Sequence, residues 1–184
     1  MISITFIINP ISGGHNKRKV EKIIDKYFKD DKYFCKKIYT SFPNHAYNIA
    51  RIEQGNGTDI IAAVGGDGTI NEISRALMFT QSKLAIIPVG SGNGFARHFK
   101  IPLKITDAVK RILSENEIKI DIGFVNKTPF FCTSGIGFDA ETGKTYNKFD
   151  TRGFLSYAFS FMLVFRNYVA KKYLIITDDE KIEV

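Results

Sequence analysis

Apolar positions divide the first part of the chain into short hydrophobic runs and longer amphipathic segments. The runs cover residues 4–8, 34–39, 59–64 and 84–88. Their β-branched and aromatic residues are typical of strands. Between the runs, apolar side chains recur three and four residues apart, as in residues 20–28, which is helical spacing. This alternation predicts strand-helix-strand units and hence a parallel sheet.

The predicted strands at residues 4–8 and 59–64 are almost continuously apolar. Strands of this kind are buried on both faces, because helices cover both sides of a parallel sheet. We therefore expect an α/β fold with a doubly wound, open and mostly parallel sheet. In such sheets ligands bind beyond the carboxyl ends of the strands, so the loops that follow the strands are the candidate sites.

The pattern changes near Asp121, where short strand-like pieces at residues 128–132 and 172–177 replace the alternation of strands and helices. We predict two domains. Residues 1–121 form an α/β domain, and residues 122–184 form the beginning of a mostly antiparallel β lobe. The last residues are typical of a turn and a second hairpin strand that has no partner left, so we expect the chain to stop inside a domain.

Composition and charge narrow the function classes. Of the 184 residues, 44% are hydrophobic, which excludes a disordered or collagen-like chain. The formal net charge of +7 favours anionic partners such as nucleotide phosphates or lipid head groups. The basic residues are not interleaved with aromatic residues as in a nucleic-acid-binding module, so we expect no nucleic acid. Cys35 and Cys132 have neither disulfide nor zinc spacing, and a cytoplasmic location fits them best.

One segment, residues 154–165, is strongly apolar and rich in aromatic side chains. It is too short to cross a bilayer, which needs about 20 apolar residues. Two interpretations stay open at this point. The segment is a helix buried in the core, or it makes peripheral contact with a membrane.

Three glycine-rich turns each follow a predicted strand. They occupy residues 9–14, 65–69 and 88–97. Glycines let successive backbone amides point into one concavity, and the amino terminus of a following helix adds positive potential, so such turns bind anions. Neither a Walker motif nor a dinucleotide-binding fingerprint is present, so a phosphate site of another kind is expected.

Asp67 lies inside the second turn, between two glycines. A carboxylate beside a phosphate site is repulsive unless a cation intervenes or there is a proton to accept. Asp67 is therefore interpreted as a residue linked to Mg²⁺ or as a general base. The alternative is a turn residue that only stabilises the loop.

Taken in this order, the three turns resemble the diacylglycerol kinase catalytic domain family, which includes sphingosine and ceramide kinases and bacterial soluble lipid kinases. The sequence Gly-Gly-Asp-Gly-Thr at residues 65–69 is shared with NAD kinases. The sequence Gly-Ser-Gly-Asn at residues 90–93, followed by Phe-Ala-Arg at residues 95–97, favours the lipid kinases. A further motif at residues 134–140 resembles the second lobe of the family.

The resemblance implies a nucleotide lobe, a lipid lobe, and ATP with Mg²⁺ as cofactors. It implies ATP contacts at Asn9, Ser12, Gly13, Gly14, Thr40, Gly65, Gly66, Asp67, Gly68, Thr69, Ile70, Asn71, Glu72, Ser91, Gly92, Asn93 and Arg152. It implies a catalytic role for Asp67 and contact of Asp139 with the lipid acceptor. Thr40 is equally well explained as the N-cap of the next helix, and Thr69 is expected to cap the helix that follows its turn.

We therefore expect an ATP- and Mg-dependent lipid kinase that phosphorylates a hydroxyl of diacylglycerol or of a sphingoid-like lipid. Residues 154–165 would line or cover the acyl-chain site. An NAD kinase-like enzyme and a non-catalytic nucleotide- or lipid-binding module are the alternatives. In bacterial relatives a later segment returns to the first lobe with further acidic residues, so the activity of this chain by itself stays open. Contact with an anionic membrane and formation of a homodimer are further expectations.

Overall fold

The computed structural model describes residues 1–146, 148–149, 154–177 and 180–183. Contacts within the chain divide it into two compact units, Met1–Cys132 and Thr133–Val184. The domain boundary near Asp121 stays a prediction.

The first unit is built on a sheet of four parallel strands. They are β1 (Ile2–Ile8), β2 (Tyr33–Tyr39), β3 (Ile60–Gly65) and β4 (Lys83–Pro88). Their order in the sheet is β2-β1-β3-β4, so β1 and β3 are the central strands. In β1, Ile4 is opposite Cys35 on one side and Ile60 on the other. The predicted parallel sheet is confirmed.

Helices cover both faces of this sheet. They are α1 (Lys17–Tyr27), α2 (His45–Gly55), α3 (Asp67–Leu77), α4 (Gly94–His98) and α5 (Ile105–Leu113). Successive β1 residues point to opposite faces and enter two separate cores. Ile7 packs in the core that holds residues of α2 and α3, while Phe6 and Ile8 pack in the core that holds residues of α1 and α5. The doubly wound α/β arrangement is thereby confirmed.

A short antiparallel hairpin of β5 (Gly123–Val125) and β6 (Thr128–Phe130) ends the first unit. The second unit contains α6 (Phe138–Tyr146), α7 (Phe154–Asn167), β7 (Leu174–Ile176) and β8 (Lys181–Glu183). The expectation that the last strand has no partner is wrong, because β8 pairs antiparallel with β7 and places Ile182 opposite Ile175. Both hairpins agree with the predicted antiparallel pairing after the parallel sheet.

Helix α7 is covered along one face, where Ser160 is fully buried. Phe161 and Phe165 stack on each other and both pack edge-on against Phe138 of α6, although both are exposed. Leu155 and Met162 are exposed as well. The interpretation of residues 154–165 as a core helix is therefore wrong. Among the described residues, no helix combines the length and the apolar character needed to cross a membrane.

Candidate functional site

The candidate site lies where β1, β3 and β4 end, because the carboxyl ends of parallel strands share one edge of the sheet. The loops after these strands contain the three glycine-rich turns. Gly13 of the first turn has a φ of +58° and lies directly against the carbonyl of Val89. A side chain at Gly13 would be strained by this φ and would collide with that carbonyl. The first and third turns therefore touch through their backbones.

The second and third turns also meet backbone to backbone. A β-carbon on Gly66 would lie 3.1 Å from the Cα of Gly90, and Ser12 Oγ of the first turn would be 3.5 Å from the same β-carbon. Residues from all three turns thus surround Gly66. This proximity confirms the reasoning that turns after parallel strands gather at one edge.

The outer side of the turns is open. Ideal β-carbons on Gly14 and Gly68 would meet no atom within 4 Å. Gly68 is the second residue of α3, so its backbone N–H is among the first four of the helix and has no partner inside the helix. Exposed amides beside open space are the arrangement that an anion requires.

Side chains fix the first turn in place. Asn9 Nδ2 donates to Thr69 Oγ1 over 3.0 Å, and Asn9 Oδ1 accepts from the N–H of Ile11 at 3.1 Å. The expectation that Thr69 caps α3 is wrong, because Gly66 is the N-cap and Thr69 is the third helical residue. The buried Thr69 hydroxyl joins the first and second turns instead.

Lys17 is a residue of this edge that sequence reasoning did not single out. Its Nζ donates to the carbonyl of Ser12 and, at 3.4 Å, to that of His15. Partial burial lowers the pKa of Lys17. The sequence does contain a signal for this position, since a lysine one turn after a glycine pair, at the start of a helix, lies beside the preceding loop.

Asp67 connects the second turn to the third. Its Oδ2 accepts from the N–H of Gly94 and its Oδ1 from the N–H of Phe95, both at 3.0 Å. The carboxylate therefore caps α4 across the sheet edge. An ionised carboxylate offers about four lone-pair sites, so each oxygen keeps one for a further partner. Asp67 also lies close to Cys132, and burial together with the Asp67 charge raises the pKa of that thiol.

The third turn is held by Asn93. This side chain is only 7% exposed, with Oδ1 accepting from the N–H of Gly90 at 3.0 Å and Nδ2 donating to the Gly90 carbonyl at 2.8 Å. Asn93 has a φ of +53°, a conformation that Asn tolerates better than most residues. Arg97 Nε donates to the carbonyl of Gly92, while Ser91 is exposed. Both polar atoms of the Asn93 side chain therefore bond within the turn, whereas the exposed Ser91 can reach a ligand.

Three predicted residues follow on α3. The Ile70 side chain is buried in the core and its N–H donates to the Gly66 carbonyl, so neither group faces a ligand. Glu72 accepts from the N–H groups of Asn44 and Ala46, at 3.0 and 3.1 Å, and so holds the start of α2. Asn71 is exposed.

Thr40 lies at the end of β2, where its N–H donates to the carbonyl of Ile8 at 2.9 Å. The alternative that Thr40 caps the next helix is wrong, because α2 begins at His45 with Asn44 as its N-cap. His45 instead receives the N–H of Ser41 on Nδ1 and stacks on Phe42. Contact of the Thr40 hydroxyl with phosphate stays a prediction.

The remaining predicted residues belong to the second unit. Asp139 is exposed in the first turn of α6, and Arg152 lies outside the described residues. A cavity of about 380 Å³ opens on the same unit, lined at α6 by Glu141 and Thr145 and at α7 by Leu163 and Val164. The sequence motif at residues 134–140 gave no indication of this cavity.

Comparison with known proteins now adds to the geometry. Residues 3–125 match the family model described as the diacylglycerol kinase catalytic domain. This match covers more than half of the chain, including all three glycine turns and the four-stranded sheet. The chain belongs to the diacylglycerol kinase catalytic domain family. The predicted resemblance is confirmed.

Curated relatives and solved structures agree with this assignment. The probable lipid kinase YegS of Escherichia fergusonii is 39% identical over 85 residues, which are 44% of this chain and 28% of YegS. The diacylglycerol kinase of Staphylococcus haemolyticus is 42% identical over 74 residues, or 39% of this chain and 22% of that protein. A structure described as "a putative diacylglycerol kinase" from Bacillus anthracis superposes with a TM-score of 0.73 at 25% identity. The superposition covers 98% of this chain and 62% of the Bacillus chain. The chain spans about a third or less of the length of these two curated relatives.

Proposed function

We propose that this chain carries the nucleotide site and the first part of the lipid-binding lobe of an ATP-dependent lipid kinase. The reaction would transfer the γ-phosphoryl group of ATP to a hydroxyl of diacylglycerol or of a sphingoid-like lipid. The bond from phosphorus to the bridging oxygen of ADP breaks, a bond to the acceptor oxygen forms, and the hydroxyl proton leaves to a base. The observation that carries the proposal is the meeting of three glycine turns around Gly66, with open space beside Gly14 and Gly68.

The backbone of these turns supports phosphate binding. Phosphoryl transfer depends mainly on positioning and on stabilisation of charge, which amides, cations and helix amino termini provide. Gly68 at the start of α3 and Gly14 ahead of α1 leave room for phosphate oxygens. Lys17 adds a positive charge at the same loop. Ser91 is exposed on the third turn and would donate its hydroxyl to a phosphate oxygen.

Asp67 fits the role of the carboxylate beside the phosphates. Mg²⁺ in kinase sites is bound through one or two carboxylates together with substrate phosphates, and it keeps several waters. Asp67 matches that requirement, because it is a carboxylate beside the glycine turns and each of its oxygens keeps a lone pair after accepting one N–H. Bound there, Mg²⁺ would neutralise charge on the transferring group. Asp67 would orient it, or accept the acceptor proton, with its remaining lone pairs.

The second unit supports a lipid acceptor. Its α7 has an apolar exposed face, and the cavity beside it combines Leu163 and Val164 with the polar Glu141 and Thr145. A surface with both apolar and hydrogen-bonding groups suits an amphipathic molecule. Asp139 stays the candidate for contact with the acceptor head group.

Nucleotide binding is the direct test, because the chain spans only part of the length of its relatives. Calorimetric titration of the chain with ATP and Mg²⁺ should show one site, and the same titration with NAD should show none. The decisive variant is Gly68→Ala. It keeps the backbone N–H, meets no protein atom within 4 Å, and improves helix propensity by about 1 kcal/mol. We expect it to lower ATP affinity roughly tenfold or more, because the new methyl group occupies the phosphate space.

Gly55→Ala is the matched control, since a β-carbon at Gly55 also meets nothing within 4 Å and the residue ends α2 away from the three turns. It should leave ATP affinity unchanged. Equal ATP affinity in both variants would overturn the phosphate site. Tight binding of NAD would favour the NAD kinase-like alternative. ATP binding without any phosphoryl transfer, in a longer chain that includes the rest of the lipid lobe, would favour the non-catalytic module.

A further inference from the structure

Lys17, the first residue of α1, folds back over the first glycine turn. Its Nζ donates to the carbonyl of Ser12 and, at 3.4 Å, to that of His15. The Ser12 carbonyl precedes the pair Gly13 and Gly14 in the chain, and the His15 carbonyl follows it. The ammonium group therefore fixes both ends of the glycine pair by binding their carbonyls.

The N–H groups of the same glycine pair are unused. Within the described part of the chain, neither the Gly13 nor the Gly14 N–H donates to a protein acceptor. Both glycines are exposed, and a β-carbon on Gly14 would meet no atom within 4 Å. Unpaired amides of successive residues, one of them at a positive φ, form the kind of concavity that binds an anion.

The ammonium group of Lys17 also has capacity left. A lysine side chain carries three N–H donors, and the two carbonyls use two of them. Lys17 is only partly buried, so the remaining donor is not sealed inside the protein. One cationic donor and two backbone donors are thus unused in the same short loop.

No carboxylate balances the charge of Lys17. Five ion pairs occur among the described residues, and Lys17 belongs to none of them. The first turn of α1 contains no acidic residue either. Burial lowers the pKa of Lys17, because nothing anionic beside it offsets the loss of water. An anion bound in the turn would supply this missing countercharge.

Ser12 links Lys17 to the place where the three turns meet. Its Oγ lies 3.5 Å from the β-carbon position of Gly66 in the second turn. The next residue, Gly13, lies against the carbonyl of Val89 in the third turn. By holding the Ser12 carbonyl, Lys17 therefore steadies the first turn at its contacts with the other two.

We propose that Lys17 both organises the first turn for phosphate and binds the phosphate. Two of its N–H groups hold the Ser12 and His15 carbonyls, which leaves the N–H groups of the glycine pair for the ligand. The third N–H of Lys17 donates to a phosphate oxygen of the nucleotide. This inference rests on the proposed function, because it requires a nucleotide in the glycine turns.

The test is calorimetric titration of the full chain with ATP and Mg²⁺, and separately with inorganic tripolyphosphate. Lys17→Met keeps an unbranched apolar side chain and removes the ammonium group. We expect about tenfold or greater loss of affinity for both ligands, because a hydrogen bond to a charged group is lost. Added salt should weaken ATP binding less in Lys17→Met than in the parent chain, because salt screens an attraction that the variant lacks.

Lys22→Met is the matched control. Lys22 lies further along α1, is exposed, and carries the same charge. This variant should keep the affinity and the salt dependence of the parent chain. Circular dichroism and thermal unfolding establish that each variant is folded.

Chemical rescue separates the ammonium group from the rest of the side chain. In a chain that carries Cys35→Ala and Cys132→Ala, the added substitution Lys17→Cys is alkylated with 2-bromoethylamine. The sulfur displaces bromide and regains an ammonium group at nearly the length of lysine. We expect this product to recover most of the lost ATP affinity. Alkylation with iodoacetamide, which adds a neutral amide of similar size, should not.

The outcomes distinguish this inference from the proposed function. Unchanged ATP affinity in Lys17→Met would overturn the inference alone and leave the nucleotide site standing. Equal recovery with both alkylating agents, or no recovery with 2-bromoethylamine, would also overturn it, because the charge would then not be the cause. Absence of ATP binding by the folded parent chain would overturn the nucleotide site itself, and the role of Lys17 with it.

Discussion

A β-carbon on Gly90 would lie 2.5 Å from the Cα of Gly66, so these two glycines touch in a way that no other residue pair could reproduce. The contact brings the turn after β3 against the turn after β4. It also brings Asn93 Oδ1 within 2.9 Å of the same β-carbon position. The second and third turns can therefore pack this closely only because neither residue has a side chain.

Gly90→Ala should disrupt this contact. The methyl group must displace the Gly66 backbone, and overpacking of this kind costs about 1–3 kcal/mol. We expect a lower midpoint of thermal unfolding and weaker ATP binding together. Gly55→Ala is the control for both measurements, because its β-carbon would meet nothing within 4 Å. Wild-type stability in Gly90→Ala would show that the turns can separate freely.

Asp67→Asn should weaken the cap on α4. The amide keeps one acceptor oxygen but turns an N–H donor toward the N–H of Gly94 or Phe95, so one hydrogen bond is lost. Loss of a cap costs about 0.5–2 kcal/mol, measurable by urea unfolding. The exposed Asp31→Asn is the control and should change stability by less than about 0.5 kcal/mol. An Asp67→Asn chain as stable as the parent would contradict the capping role.

Glu72→Gln should loosen the start of α2 rather than remove a ligand contact. The two carboxylate oxygens of Glu72 accept from the N–H groups of Asn44 and Ala46. The side-chain amide of Gln has only one oxygen, so it can accept from only one of them in this way. We expect the free energy of unfolding to fall by about 1 kcal/mol. Any fall in affinity should be the same for ATP and for inorganic triphosphate. A selective loss for ATP, which alone carries the ribose and the base, would instead indicate direct contact of Glu72 with the nucleoside.

Glu53 predicts a pH dependence of stability. Burial raises the pKa of this carboxyl, but hydrogen bonds from Lys36 and Thr5, at 2.6 and 2.8 Å, outweigh burial and lower it overall. A carboxyl whose native pKa is depressed stabilises the fold fully above its unfolded pKa, about 4.3, and this contribution is lost as the pH falls through the native value. Urea unfolding should therefore show stability falling with acid below about pH 4.3.

Glu53→Gln should flatten that acid dependence and lower the stability at neutral pH by about 1–3 kcal/mol, because the buried Thr5 and the Lys36 ammonium lose a charged acceptor. Glu117→Gln breaks the exposed pair with Lys83 and serves as the control. It should cost at most about 1 kcal/mol. An unchanged acid slope in Glu53→Gln would assign the pH dependence to other carboxyls.

The sheet and the helices around it were predictable because their signals are local. The run at residues 60–64 is apolar throughout, and β3 covers Ile60–Gly65. The meeting of the glycine turns followed from topology, since parallel strands end together. The family followed from the spacing of those turns.

The partners of individual side chains were not predictable. Asp67 caps a helix that begins at Gly94, and Glu72 reaches back to Asn44, because tertiary packing brings together segments that are distant in sequence. The exposure of α7 was also hidden, since an apolar helix has the same sequence pattern whether it packs on one face or on two. In the folded chain, the exposure of Leu155 and Met162 distinguishes these cases.

The position of β1 in the sheet has a consequence for biosynthesis. Both of its neighbours come later in the chain, β2 at Tyr33–Tyr39 and β3 at Ile60–Gly65, so both edges of this apolar strand stay without hydrogen-bond partners until those segments leave the ribosome. At roughly 5–20 residues per second that interval lasts several seconds. An unpaired apolar strand is prone to aggregate. The nascent chain is therefore most vulnerable just before its central sheet closes, and a chaperone that binds extended apolar segments would act in that window.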